Sequence, residues 1–261
     1  MDVASYLRRI NCGGPLAPTA ETLRRLHVAH LLSVPFENLS IHWGEPVALD
    51  DEVLFEKIVV RRRGGFCYEL NGRFSALLRS LGFDVAMLSA RVAGAGGDFG
   101  PEFDHMALLI TLRERYLVDV GFGDSFREPL LLGERAEQAQ GASAYRIDEA
   151  GDRYTLLRRD GEGVWRAQYS FGLRLHAYAD YAEMCRYHQT SPQSHFTQRS
   201  VCSLATPDGR ITLSGLRLIM TTDSEREERE LAGEEEFAAA LRERFGTEAP
   251  PREAVKPGLR P

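Results

Sequence analysis

The stretch RRRGGFCYELNGRFSALLRSLG, residues 61–82, constrains the fold of this chain more than any other. Leu70, Phe74, Leu77, Leu78 and Leu81 recur at helical spacing, so an amphipathic helix begins near Cys67 and ends where Gly82 supplies a C-terminal cap. Such a stripe must lie against other elements, and it fixes one cysteine at the helix start. Gly64 and Gly65 carry no side chains, so the backbone can turn sharply there and another molecule can approach. In the first turn the Cys67 sulfur meets unpaired backbone N–H groups and the positive end of the helix dipole. Both favour the thiolate, the nucleophilic form. The alternative is a small buried hydrophobe, and a nearby base would decide between them.

The residues upstream are also helical. Val3, Tyr6, Leu7 and Ile10 share one face of a short helix; Thr19 caps a second, with Leu23 and Leu26 inward and Pro35 at its end. Asp50 caps a third, carrying Val53, Leu54 and Ile58. Near residue 85 the pattern changes. Residues 85–92, 105–112 and 115–122 read as strands, the last two as a hairpin, and 154–159 and 164–171 add two more. The glycine-rich segment 94–104 reads as a mobile surface loop. Short strands with turn signals favour a small barrel or sandwich over alternating β-α units. Strands return at Val201–Leu204 and Ile211–Leu218. The charged run 223–245 then reads as a helix with Phe237, Leu241 and Phe245 inward, before a loosely held Pro-rich tail.

Composition narrows the function. With 32 basic against 38 acidic residues the net charge is −6, so the chain lacks the basic footprint of a nucleic-acid binder, although a local arginine patch could still hold an anion. The N-terminus has no apolar core of signal-peptide length, and no run approaches the ~18 apolar residues of a membrane span. Cys12, Cys67, Cys185 and Cys202 lie far apart without CxxC pairs, which suggests neither a metal site nor disulfides. A reduced, cytoplasmic protein is expected. There is no Walker A or GxGxxG motif, so no residue is assigned to a cofactor.

Among the seven histidines, His105 stands out at the junction of the glycine loop and an apolar strand. His27 and His30 read as packing or surface residues. Asp119 is a carboxylate inside the apolar segment YLVDVGFG, and burying it is costly unless something pairs with it. An imidazole held by that carboxylate and facing a thiol is the arrangement that covalent catalysis needs. Hairpin parity tests the pairing: a two-residue turn at Arg113–Glu114 puts His105 and Asp119 on opposite faces, whereas a three-residue loop or a bulge puts them on one. The register stays open.

PFENLS (35–40), RRGGFCYELN (62–71), His105, YLVDVGFG (116–123) and SHFTQRSVCSLATPDGRITLSG (194–215), in this order, resemble the arylamine N-acetyltransferase family. The resemblance runs from about residue 3 to about 220. It implies an α+β fold with a helical bundle (1–84), a β-barrel domain (85–190) and an α/β lid with a charged C-terminal helix and tail (191–261). It implies a Cys67-His105-Asp119 triad and ping-pong transfer of an acetyl group from acetyl-CoA, through acetyl-cysteine, to arylamines, arylhydroxylamines or hydrazines, chemistry of xenobiotic metabolism. Acetyl-CoA would be the acyl-donor substrate, with no tightly bound cofactor; self-association is left open. Phe36, Phe122 and Gly123 match the substrate-binding positions, although simple core packing fits both phenylalanines equally well. Glu37 and Arg63 match a bracing pair. Within the same family an amide synthase with a larger acyl donor is the nearest rival. Hydrolases share the Cys-His-Asp logic, and a binding protein on this scaffold is a third alternative. The Cys-x5-Arg spacing of Cys67 and Arg73 is that of cysteine phosphatases, but Glu69 between them would repel a phosphate, so Arg73 is placed on the helix surface.

Overall fold

A computed structural model describes residues 2–222 and 225–250. The N-terminal helices form where the caps predict. α1 (Val3–Arg9) precedes α2 (Ala20–Leu31), which opens with Thr19 accepting from the Thr22 backbone N–H. The PFENLS stretch supplies an unpredicted two-residue strand, β1 (Phe36–Glu37), and a short helix, α3 (Leu39–Trp43). α4 (Asp51–Phe55), capped by Asp50, widens into a π-helical turn over Glu56–Val60. α5 (Cys67–Ser80) is the predicted amphipathic helix. Leu70, Phe74, Leu77 and Leu78 are fully buried, each stabilising the fold by about 1.5–3 kcal/mol relative to exposure, while Leu81 is only half-buried. Gly82 follows in the left-handed conformation.

Against α5 lie β2 (Asp84–Val92) and β3 (His105–Thr111), followed by β4 (Arg115–Val118), β5 (Leu130–Leu131), β6 (Gln138–Gln140), β7 (Ser143–Ala150), β8 (Arg153–Asp160) and β9 (Arg166–Gly172). They form one eight-stranded sheet in the order β5-β4-β3-β2-β9-β8-β7-β6. The sheet curls into a nearly closed barrel. Side chains join its two ends: Gln138 Oε1 accepts from Leu131 N at 2.8 Å and Gln138 Nε2 donates to Leu131 O at 3.1 Å. Along β3 the side chains alternate, with Met106, Leu108 and Ile110 packed in the α5 core and Ala107 and Leu109 in the barrel core.

After α6 (Ala182–Thr190) and α7 (His195–Gln198) come β10 (Val201–Thr206), β11 (Gly209–Ser214), β12 (Arg217–Thr222), β13 (Arg226–Glu230) and α8 (Glu234–Phe245). β1 joins the edge of this second sheet, in the order β1-β10-β11-β12-β13. Two expectations need correction here. The single strand read over Ile211–Leu218 is two strands folded back at Gly215, whose φ is +56°. Of the charged run read as one helix over 223–245, residues 223 and 224 lie outside the described residues and the rest holds β13 followed by α8; Arg226–Glu230 pairs with β12 instead of coiling, while Phe237, Leu241 and Phe245 are buried as expected. The Pro-rich tail lies, from residue 251 on, outside the described residues. Among those residues no helix is long and apolar enough to cross a membrane.

Candidate active site

Cys67 is the first residue of α5, and buried charges hold the chain on its approach. Arg63 donates to Glu37 Oε1 from Nε and Nη2 at 3.0 and 2.8 Å, while Glu37 Oε2 accepts from Leu39 N at 2.7 Å. Glu69 Oε2 accepts from Phe66 N at 3.0 Å, capping the helix, and its Oε1 takes Lys57 Nζ at 2.7 Å. The two glycines clear room for the protein itself, not for a ligand. A Cβ on Gly64 would stand 1.9 Å from the Pro35 carbonyl oxygen, and one on Gly65 would meet the Glu69 side chain at 2.7 Å. Arg73 is likewise not on the surface. It is 1% exposed, and its Nη1 donates to Asp51 Oδ1 at 2.8 Å and to the Asp51 carbonyl at 3.0 Å. An arginine on the inner side of α5 has its stem buried and must carry its charge out to a partner.

The His105–Asp119 register is the even one. Leu108 pairs with Val118 and Thr111 with Arg115, so the loop has three residues, Leu112–Glu114, and the two side chains share a face. His105 Nε2 and Asp119 Oδ2 are 2.7 Å apart, with both residues buried. Asp119 Oδ1 accepts from Asn71 Nδ2 and Gly121 N, each at 2.9 Å. Burial pushes the Asp119 carboxyl up, but His105 and these hydrogen bonds outweigh it, so its pKa is below the usual carboxylate value.

Asn71 and His27 are site residues that the sequence reading passed over. Asn71 lies one turn after Cys67, on the same face of α5. It donates to Met106 O at 2.7 Å and accepts from Val120 N at 2.9 Å, tying the segments after His105 and Asp119 to the helix. The i, i+4 spacing from Cys67 was the available signal. Gly121 lets that segment come close, since a Cβ there would stand 2.7 Å from both Cys67 Cα and Asn71 Nδ2. His27 is fully buried on α2, stacked on Phe126. Its Nδ1 donates to Arg127 O at 2.7 Å, and its Nε2 lies 3.1 Å from the Asp119 carbonyl oxygen and 3.3 Å from the Asp119 N–H. Burial holds its pKa below the ordinary value, against the Arg127 and Asp119 carbonyls that raise it.

The helix start does not by itself activate Cys67. The residue is 3% exposed, and burial pushes its thiol well above the ordinary range; the Met106 backbone N–H lowers it, while Asp119, Cys185 and Asp104 raise it further. A partial helix charge is smaller than the cost of placing an anion away from water. A thiolate here therefore needs a proton acceptor. With Nε2 on Asp119, Nδ1 is the remaining His105 ring nitrogen.

Two aromatic rings flank His105. Phe122 lies edge-on to His105 at 5.2 Å, and the fully buried Tyr169 is 5.1 Å from His105 and 5.2 Å from Phe122. Phe36 approaches Phe196 at 6.1 Å, and Gly123, at φ +90°, lets the chain pass against the Phe36 ring. Phe36, Phe122 and Phe196 are half-buried, unlike core phenylalanines such as Phe74.

Comparison with known proteins bears on this arrangement. A family model described as N-acetyltransferase matches residues 19–253. The chain belongs to the arylamine N-acetyltransferase family. It is accordingly an acyltransferase. An arylamine N-acetyltransferase from Mycolicibacterium smegmatis is 36% identical, over 94% of this chain and 92% of that protein. Proansamycin X synthase from Amycolatopsis mediterranei is 32% identical, over 92% and 95%. The structure of the Mycobacterium marinum arylamine N-acetyltransferase in complex with CoA superposes with a TM-score of 0.88 at 33% identity, covering 99% of this chain and 96% of the other.

Proposed function

We propose that this chain transfers an acetyl group from acetyl-CoA, through an acetyl-Cys67 thioester, to the nitrogen of arylamines, arylhydroxylamines or hydrazines. The observation that carries the reading is the buried His105–Asp119 contact at 2.7 Å, beside the start of the Cys67 helix. His105 takes the thiol proton, and Asp119 holds the ring and stabilises its cation. Cys67 Sγ attacks the thioester carbonyl, the carbonyl–sulfur bond to CoA breaks, and His105 returns the proton to the departing CoA sulfur. An acceptor nitrogen then attacks acetyl-Cys67 and the carbonyl–sulfur bond breaks; the proton lost from nitrogen passes through His105 to the Cys67 sulfur as the amide product leaves.

Acceptor and donor each have a matching surface. Phe36, Phe122 and Phe196 present half-buried faces on which an aryl ring stacks, with Gly123 beside Phe36. A groove of about 830 Å³ opens at Asp124, the residue after Gly123, with Arg127, Arg158, Arg210 and Arg226 along its walls beside Asp124, Glu128 and Asp160. Arg158 pairs with Asp124 and Asp160 at 3.1 and 2.7 Å, and Arg210 with Asp124 at 3.2 Å. Arg210 Nη1 donates to Ser203 Oγ at 3.0 Å, and Ser203 pairs with Phe36, so the groove adjoins the aromatic end. Arg127 is held by the Pro207 and Gly209 carbonyls at 2.6 and 2.7 Å, which leaves its charge free to meet the phosphates of CoA.

The likeness to proansamycin X synthase favours a second reading, amide synthesis with a larger acyl donor. Intact mass after incubation with acetyl-CoA alone separates the two. An acetyl adduct that maps to Cys67 and disappears on adding an arylamine is expected. No adduct, with slow ester or peptide hydrolysis instead, would sink acetyl transfer.

A further inference from the structure

A second histidine–carboxylate pair lies beside the first. His188, near the end of α6 and 7% exposed, places Nε2 3.3 Å from Asp104 Oδ1 and 3.3 Å from the Asp104 carbonyl oxygen. Its Nδ1 is 3.1 Å from Ser194 Oγ. Ser194, 2% exposed, is the N-cap of α7, and its Oγ accepts from Phe196 N at 3.3 Å. One set of protons satisfies the whole chain of contacts: Phe196 N–H donates to Ser194, Ser194 O–H to His188 Nδ1, and His188 Nε2–H to Asp104.

The ring contacts give this chain its place. His188 stacks on Tyr68 with centroids 6.1 Å apart and stands edge-on to Phe196 at 5.2 Å. Tyr68 follows Cys67 in sequence, and its hydroxyl donates to Phe103 O at 2.6 Å; Asp104 precedes His105. The carbonyl of Phe196 is anchored separately, by Asn38 Nδ2 and His42 Nε2, each at 2.9 Å. That anchor fixes where the residue sits but not which way its ring leans.

We propose that His188 is a positioning residue that sets the width of the acceptor pocket, by tying the Phe196 loop to the Asp104–His105 segment. The proposal rests on the acetyl-transfer reading above, in which Phe196 forms one wall of that pocket. An apolar residue of similar size fills the same volume but leaves the Ser194 hydroxyl and Asp104 unpaired, so the two walls separate. The consequence falls on the acceptor step. Acylation by acetyl-CoA uses Cys67 and His105, which His188 does not touch.

Full-length His188→Leu, His188→Gln and Ser194→Ala variants test this. Rapid-quench intact mass gives the rate of acetyl-Cys67 formation, and steady-state kinetics with an arylamine gives KM and kcat for the acceptor. His188→Leu should leave acylation within about twofold and raise the acceptor KM about tenfold, with kcat lowered less than about threefold. His188→Gln, which keeps an N–H for Asp104, should recover much of that KM. If His188→Leu does not fold, Ser194→Ala alone decides, with an expected rise in KM of about threefold. Parallel losses in acylation and acceptor transfer, or an unchanged KM, would overturn the proposal. Absence of any acetyl adduct on the unmodified protein would instead overturn the underlying reading.

Discussion

Asn71 Nδ2 stands 2.9 Å from Asp119 Oδ1 and 2.7 Å from the Met106 carbonyl, so one amide on the Cys67 helix holds the segments of both barrel residues. All the groups it touches are buried. Asn71→Ala strands several of them at once and should cost about 1–3 kcal/mol of stability. Through the loosened His105–Asp119 geometry it should also lower kcat/KM by roughly a hundredfold. Asn71→Asp is the sharper probe. A second carboxylate beside Asp119 raises the pKa of the pair, so the acid limb of the kcat/KM profile should move to higher pH. A profile unchanged from that of the parent would refute the link.

Cys67 reactivity should depend on His105 more than on the helix. Burial holds the thiol well above its ordinary range, so without a base it stays protonated at neutral pH. His105→Gln should therefore slow alkylation of Cys67 by iodoacetamide at pH 7 by about a hundredfold or more, with reactivity recovering only as pH rises towards the thiol's own range. Equal alkylation rates in the two proteins would show that the helix start suffices.

Acid stability should follow two buried carboxylates. Burial raises both, but Lys57 and Arg63 pull Glu37 below its ordinary value, and His105 with its neighbours does the same for Asp119. A depressed folded pKa gives stability that is fully present above the unfolded values, about 4 for these groups, and is lost as pH falls through the lower folded values. Thermal melts should show no loss from these two groups between pH 7 and pH 5, then a fall below about pH 4. Glu37→Gln should make that fall shallower while lowering stability at neutral pH, where Arg63 is left with a weaker partner.

The arginine groove makes a separate prediction for the donor. Arg127→Ala removes a charge held by the Pro207 and Gly209 carbonyls and should raise the acetyl-CoA KM roughly tenfold, leaving the acceptor KM unchanged. The salt dependence of the donor KM should weaken in parallel. An unchanged donor KM would place the CoA phosphates elsewhere.

Residues whose roles follow from local spacing were legible in the chain. The caps at Thr19 and Asp50, the stripe of α5, and the strands at 84–92 and 105–111 rest on contacts within a few residues, which the sequence carries directly. Cys67, His105 and Asp119 could be singled out because each is chemically out of place in its segment. What neighbours do across the fold was not legible. The filling of space at Gly64 by Pro35, the burial of Arg73, the pairing of Phe36–Glu37 with β10, and the hairpin at Gly215 all depend on partners distant in sequence or on register.

The sequence by itself pointed to the capped helices, the α5 stripe and the strands at 84–92 and 105–111, and singled out Cys67, His105 and Asp119, because helix periodicity, capping and residue type are local properties. Only the tertiary structure decided the even register that puts His105 beside Asp119, the reach of Asn71 and His27 to that pair, and the burial that leaves Cys67 dependent on a base. Those features come from long-range packing, and desolvation there exceeds the helix-end effect that local reasoning assigns to the cysteine.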